Sequence, residues 1–537
     1  MTGKDGMRWP YLLLMMLMLL ELPCLEASAP AVLSPELKYD CVVGNDGSAS
    51  LSAVFGDAGA TGSETFWMLV PKNESEYRTT VISGDVNGMQ ITAAYMPGGG
   101  EYVFYSNLSV QYVGPLEFNV KWNISYAALI VEPDALFFSP AIASSPGTRM
   151  EFRVVLPSTM TQVTQTSDVP ISKENTTLVF APANHDRIGI SFKVSGSSGN
   201  KLVESSRFQF DVPERYESIA KRLLAFYENA SRILDLFFNT SLSSVKVEFF
   251  VPESLEDLST AGFTPIESAY RLGTIFLNIF YVRTEKGYME AIAAHELVHH
   301  YLTVSGVSPD VLWFHEGMAN YIGIEISELS GLGGTTMVDS LTQAASNLTG
   351  SNHTFIFSWT PAHSDQRYTL YQHYAVAYWL TSTLAHEFSK PSDKFIQGQV
   401  FFTSLFTNMR LLSMKISDND ALARVMYASA NFSKAAFATL VSLGFNVKPV
   451  FVLTSESASQ PGSLTAYVLA LILEKPIDSA IETAASSDTS TALTMMNEVS
   501  DFLANFDTSL LVLLLLIGTA VIMMLQKDGG HPIPPPI

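Results

Sequence analysis

The sequence predicts a multidomain α+β protein: an N-terminal antiparallel β domain, then an α+β domain, then a helical domain, and a single C-terminal transmembrane helix. Three observations predict it. The chain has 537 residues, enough for about three or four domains. Its apolar residues alternate with period two up to Phe210 and recur at helical spacing from Tyr216 onward. Each end also carries an apolar run, Tyr11 to Leu20 and Leu510 to Leu525.

The first run follows Lys4 and Arg8 and precedes Ala27-Ser28-Ala29, the layout of an export signal over 1–29. A run that short does not span a bilayer, so cleavage is expected rather than anchoring. Pro30 leaves the cleavage site open. Residues 30–210 read as a β-sandwich or saddle. Runs such as 101–105, 116–122 and 187–194 stand between Gly- and Ser-rich turns at 98–100 and 195–199. Residues 211–326 form the α+β domain. It begins with a helix over 216–238, carrying Ile219, Leu223, Phe226 and Leu234 on one face, and continues with a strand over 245–251. A loop over 252–265 and a strand around 274–282 follow. A helix over 285–304 comes next, stopped by Ser305-Gly306, and Ser308-Pro309 starts a second helix through Ile326. Residues 327–453 read as helical, and 454–507 as a linker with juxtamembrane helices. The second apolar run makes 508–526 the membrane helix, since its sixteen residues cover about 24 Å and the flanking Thr508, Ser509 and Gln526 extend it toward the ~30 Å hydrocarbon core. Residues 527–537 form the tail, and Lys527 places it in the cytoplasm.

Composition narrows the partners. There are 52 acidic against 31 basic residues, a net charge of −21, and such a surface repels phosphate backbones; nucleic acid is not an expected partner. Cys24 and Cys41 are the two cysteines, so no disulfide framework is expected. Asn-x-Ser/Thr sequons occur at Asn73, Asn107, Asn123, Asn175, Asn229, Asn239, Asn347, Asn352 and Asn431, all between the two apolar ends. They suit a glycosylated exterior, with the body outside the cell membrane.

The chemistry gathers at Ala294-His295-Glu296-Leu297-Val298-His299-His300. Histidines four apart on a helix share one face, which suits two imidazoles on one tetrahedral zinc. Glu296 beside them is placed to accept a proton from water. The pair alone is also compatible with two core histidines. Glu316, separated from His299 by sixteen intervening residues, supplies a third protein ligand from the next helix and leaves the fourth position for water. One zinc ion per chain is therefore expected on His295, His299 and Glu316. His300 and His315 diverge by about 100° from their neighbours and should not share the metal.

With both helices in view, the chain resembles the gluzincin zinc metallopeptidases of the aminopeptidase N-like and glycyl aminopeptidase-like families. Leu312, Trp313, Phe314, Glu316, Gly317, Met318, Ala319 and Tyr321 match their second-helix signature. The resemblance covers about residues 285–326 and implies a thermolysin-like catalytic domain acting on peptide or protein substrates. It also implies a downstream tyrosine that stabilises the oxyanion. Tyr371 is the best match, though Lys and Gly of the family's context are missing and Tyr368, Tyr374 and Tyr378 compete. The family's Gly-Ala-Met-Glu-Asn segment, whose Glu grips the substrate's free amine, is absent. Glu267 in Thr264-Pro265-Ile266-Glu267-Ser268 lies at a comparable distance, as the amine-binding group or as a surface-loop residue. Two functions fit: an extracytoplasmic zinc peptidase with Glu296 as base, or a non-catalytic surface or adhesion protein with a structural or decayed metal site. Retention of Glu296 favours the first, because a structural zinc needs no base. The strand around 273–282 is a candidate to pair with an extended substrate.

Overall fold

The computed structural model describes residues 34–448 apart from 98–100, 197–198, 269, 285, 334, 347, 349–352 and 412. The expected export signal (1–29), linker (454–507), membrane helix (508–526) and tail (527–537) lie outside the described residues. Among the described residues, no helix is long and apolar enough to cross a membrane.

Two sheets facing one apolar core build the amino-terminal domain. The larger contains Glu36–Val43, Ala49–Asp57, Ser63–Pro71, Tyr77–Tyr95, Glu101–Ile124 and Arg149–Val155. The smaller runs Ala128–Val131, Asp134–Phe138, Gly189–Val194, Met160–Thr166. Alternation does what period two requires: Leu37, Tyr39, Cys41 and Val43 all point inward. Side chains such as Leu37 and Val43 each contribute about 1.5–3 kcal/mol when fully buried. Cys41 is buried and free. Two features differ from expectation. Glu36–Val43 pairs in parallel with Arg149–Val155, so the domain is not purely antiparallel. The runs 101–105 and 116–122 belong to one 24-residue strand, which changes partner near Gly114 (φ +70°) from Ser63–Pro71 to Ala49–Asp57.

The next body is a five-stranded mixed sheet in the order Asn200–Glu204, Phe208–Pro213, Val245–Phe250, Ile275–Asn278, Gly262–Phe263. Helix α1 (Glu217–Phe238) lies on it, with Tyr227 against Phe208. The first two strands fall within the segment read as the β domain. Their alternation matches a sandwich strand, and hydrogen bonding to Val245–Phe250 assigns them here. Ile275–Asn278 has neighbours on both sides, so the sheet's free edge at this end is Gly262–Phe263, not the strand around 273–282.

Among the described residues, seven further α-helices follow: α2 (Tyr288–Val304), α3 (Leu312–Leu329), α4 (Thr335–Ser346), α5 (Leu370–Glu387), α6 (Gln399–Leu411), α7 (Asn419–Ser429) and α8 (Lys434–Ser442). The α+β and helical regions share one apolar core rather than two. Trp313 of α3 is fully buried against Phe357 and Phe445, and its indole N–H donates to Asn419 Oδ1 at 2.7 Å.

Candidate metal centre

Helix α2 starts at Gly287, whose φ of +94° and missing Cβ admit the Leu332 carbonyl oxygen, 2.1 Å from where a Cβ would stand. It ends at Ser305-Gly306, with Val307 N–H bonded back to Leu302 O at 3.0 Å. Helix α3 begins at Leu312, three residues after Pro309. Ser308 does not cap it; its hydroxyl donates to Asp310 Oδ2 (2.9 Å) and accepts from Asp310 N–H (3.2 Å), folding 308–311 into a turn. The helices meet closely at Gly323, where a Cβ would stand 2.9 Å from Ala291 O and 3.1 Å from His295 N. Gly317 serves another contact: its Cβ would stand 2.5 Å from Ala377 O and 2.3 Å from Thr381 Oγ1 on α5.

This packing brings three ligand atoms together. His295 Nε2 and His299 Nε2 are 3.1 Å apart, and Glu316 Oε2 lies 3.2 Å from the first and 3.7 Å from the second. Neighbouring groups set the tautomers. His295 Nδ1–H donates to Asn320 Oδ1 at 3.0 Å, because an amide oxygen only accepts. His315 Nε2–H donates to the Val307 carbonyl at 3.1 Å, leaving its Nδ1 as acceptor for His299 Nδ1–H at 3.3 Å. Both Nε2 lone pairs therefore face the Glu316 oxygen, which accepts no hydrogen bond of its own. Such a cluster repels itself unless something positive sits within it. Burial weighs most on His295 and opposes its charge, yet the Glu316 carboxylate beside it raises the ring's pKa overall. Burial, then the positive potential of His295, holds His299 well below the ordinary imidazole range. The donor set fits zinc: ligands at about 2.0–2.1 Å around a tetrahedral ion stand about 3.3 Å from one another. These three are the His, His and carboxylate of that chemistry.

Glu296 sits beside them on α2, buried under the free strand edge. Gly262 makes its room, since a Cβ there would stand 3.0 Å from Glu296 Oε1. Thr264 Oγ1 donates to Glu296 Oε2 at 2.9 Å. Burial, opposed by His295, pushes the Glu296 carboxyl up to about 7. The centre opens into a cavity of about 410 Å³ that also holds Asn320 and Tyr374.

The candidate tyrosines separate by position. Tyr371 is 48% exposed, its hydroxyl bonded to Ser340, and it does not line the cavity. Tyr368 stacks on Phe355 and Tyr378 packs by Tyr321. Tyr374 is the tyrosine of this row on the cavity, and the Glu316 charge, with burial next, raises its pKa and keeps the phenol protonated. Helix α5 is held by a capping box in which Thr369 and Gln372 bond each other's backbone N–H, and Trp359 packs edge-on to Tyr374. Glu267 stands on the exposed hairpin Ile266–Ser268/Arg271–Leu272, ion-paired to Arg271 at 2.7 Å and off the cavity lining. His315 supports His299, as described; His300 is buried with its Nε2 unpartnered. Sequence reasoning missed Thr264 and Asn320, and placed Tyr374 behind Tyr371. Asn320 carried a signal, lying four residues beyond Glu316 on one helix face.

No family model matches the chain, and no curated protein matches it. Among solved structures it is similar to native yeast LTA4 hydrolase, at 12% identity and a TM-score of 0.33, over 84% of this chain and 72% of that one. It is also similar to an M1 zinc metallopeptidase from Deinococcus radiodurans, at 13% identity and a TM-score of 0.29, over 78% of this chain and 95% of that one. What the site can do follows from its own side chains.

Proposed function

We propose that this protein is a zinc-dependent metallopeptidase of the gluzincin kind. The observation that carries the reading is the convergence of His295 Nε2, His299 Nε2 and Glu316 Oε2, with Glu296 buried beside them and off the ligand set. Zinc held there supplies a Lewis acid that polarises a carbonyl and lowers the pKa of water. Glu296 takes the proton of the attacking water and hands it to the leaving amine. Thr264 fixes that carboxylate's direction by its hydrogen bond. Asn320 and His315 hold the two imidazoles in the tautomers that present Nε2. Tyr374 donates its phenol to the oxygen on which negative charge develops. The unpaired edge of Gly262–Phe263 offers backbone groups to an extended peptide. Peptide hydrolysis by the purified protein, stopped by a chelator and restored by zinc, tests the proposal; hydrolysis that persists in chelator contradicts it.

The tyrosine assignment is separately testable. Tyr374→Phe is expected to lower kcat about 10²–10³-fold with KM little changed. Tyr371→Phe is expected to leave both within about twofold, because its hydroxyl bonds Ser340 on an exposed face. The reverse order in steady-state kinetics would restore Tyr371.

For topology, we propose that the peptidase body faces outside and that a membrane helix over 508–526 tethers it. A chain ending at Asp507 should therefore be released soluble and active, whereas alkaline carbonate should fail to extract the full chain. Retention of the shortened chain on membranes removes the tether from the account.

A further inference from the structure

We infer that the cleft cuts internal peptide bonds flanked by large apolar residues and does not require a free amino terminus, an inference that rests on the peptidase reading. The lining of α3 carries the argument. Leu312, Glu316, Asn320 and Ile324 recur every four residues along one face and all line the cavity. From Leu312 to Ile324 the face extends about 18 Å at 1.5 Å per residue. The ligand Glu316 and the ligand-holding Asn320 stand in its interior, with an apolar side chain beyond them at each end. Helix α2 repeats the pattern at one end, where Tyr288 and Ile292 precede His295 and His299. Pro309 stands at the opposite end, before Leu312. A trough of about 18 Å takes roughly five residues of extended chain at about 3.3 Å each. The metal atoms divide that length, so substrate residues lie on both sides of the bond that reacts.

The charges agree with this. Among the described residues that line the cavity, the carboxylates are Glu296 and Glu316. Glu316 faces the two imidazoles and Glu296 is the base, so neither is available to hold a terminal ammonium. An ammonium brought into a partly buried site without an anionic partner loses hydration that nothing there replaces. Glu267, the other candidate for that task, is turned to Arg271 on the exposed hairpin. Apolar walls on either side of the centre instead favour aliphatic or aromatic residues next to the scissile bond. One methylene in such a pocket shifts selectivity about 10–200-fold.

The test uses two octapeptides of one sequence with a central Phe-Leu pair, one with a free amino terminus and one acetylated. The full-length protein, loaded with zinc, is incubated with each, and products are read by mass spectrometry. Both peptides are expected to be cut at the same internal bond, with kcat/KM within about threefold, and Asp at the central pair to lower the rate at least about tenfold. Glu267→Gln is expected to change neither rate by more than twofold. Release of only the first residue of the free peptide, with acetylation abolishing cleavage, overturns the inference while leaving the peptidase intact. Selective loss of free-peptide cleavage in Glu267→Gln overturns it too. No cleavage of either peptide by zinc-loaded protein overturns the peptidase reading, and the inference with it.

Discussion

Glu296→Gln is expected to lower kcat by about 10²–10⁴-fold while the protein keeps its metal. A thousandfold loss corresponds to about 4 kcal/mol of transition-state stabilisation. The two side chains are nearly the same size, so the amide fits beneath Gly262 and still accepts from Thr264. Only the capacity to take a proton is gone. Because the Glu296 carboxylate is outside the ligand trio, metal content should be unaffected. The pH profile gives a second readout. Burial raises the Glu296 carboxyl toward about 7, and a cation nearby pulls it down again. The base works deprotonated, so wild-type turnover should fall as pH drops through its pKa, on the acid side of 7. The residual rate of Glu296→Gln should lack that acid limb. Wild-type turnover in the variant, measured on the same peptide, contradicts the base assignment.

The parts of the site legible in the sequence were those written into a single helical period. His295 and His299 lie four apart, and Glu316 follows on a helix whose stop and restart were visible as Gly306 and the turn after it. Those three atoms converge in the structure. What sequence did not show depends on how separate elements are rotated against one another. Tyr371 and Tyr374 differ by less than one helical turn, yet Tyr371 bonds Ser340 outside while Tyr374 enters the cavity. Thr264 reaches Glu296 only because the short edge strand crosses above α2, and two strand residues leave almost no periodic signal. Glu267 has the right residue type at a comparable distance, but a hairpin turns it toward Arg271. At the scale of domains, element types were readable and their memberships were not. The strands Asn200–Glu204 and Phe208–Pro213 alternate like sandwich strands, and only their partner Val245–Phe250 assigns them to the second sheet. Likewise the α+β and helical regions read as two units because their element types differ, while Trp313, Phe357 and Phe445 pack as one core.

The second large effect concerns the metal itself. Replacing His295, His299 or Glu316 by Ala leaves two donors where zinc takes three protein ligands, and the loss of affinity should exceed the 10–100-fold expected when an outer partner is removed. Asn320→Ala provides that internal comparison: it frees His295 Nδ1 without touching a ligand atom and should weaken binding about 10–100-fold. Affinity in all forms should fall as pH drops, since protons compete for the imidazole lone pairs. The measurement that tests the account most directly is the zinc content of purified wild type and the three ligand variants after exhaustive dialysis against metal-free buffer. The account predicts about one zinc per wild-type chain and essentially none in His295→Ala, His299→Ala or Glu316→Ala. Full occupancy in all three variants, or none in the wild type after zinc is supplied, would contradict it.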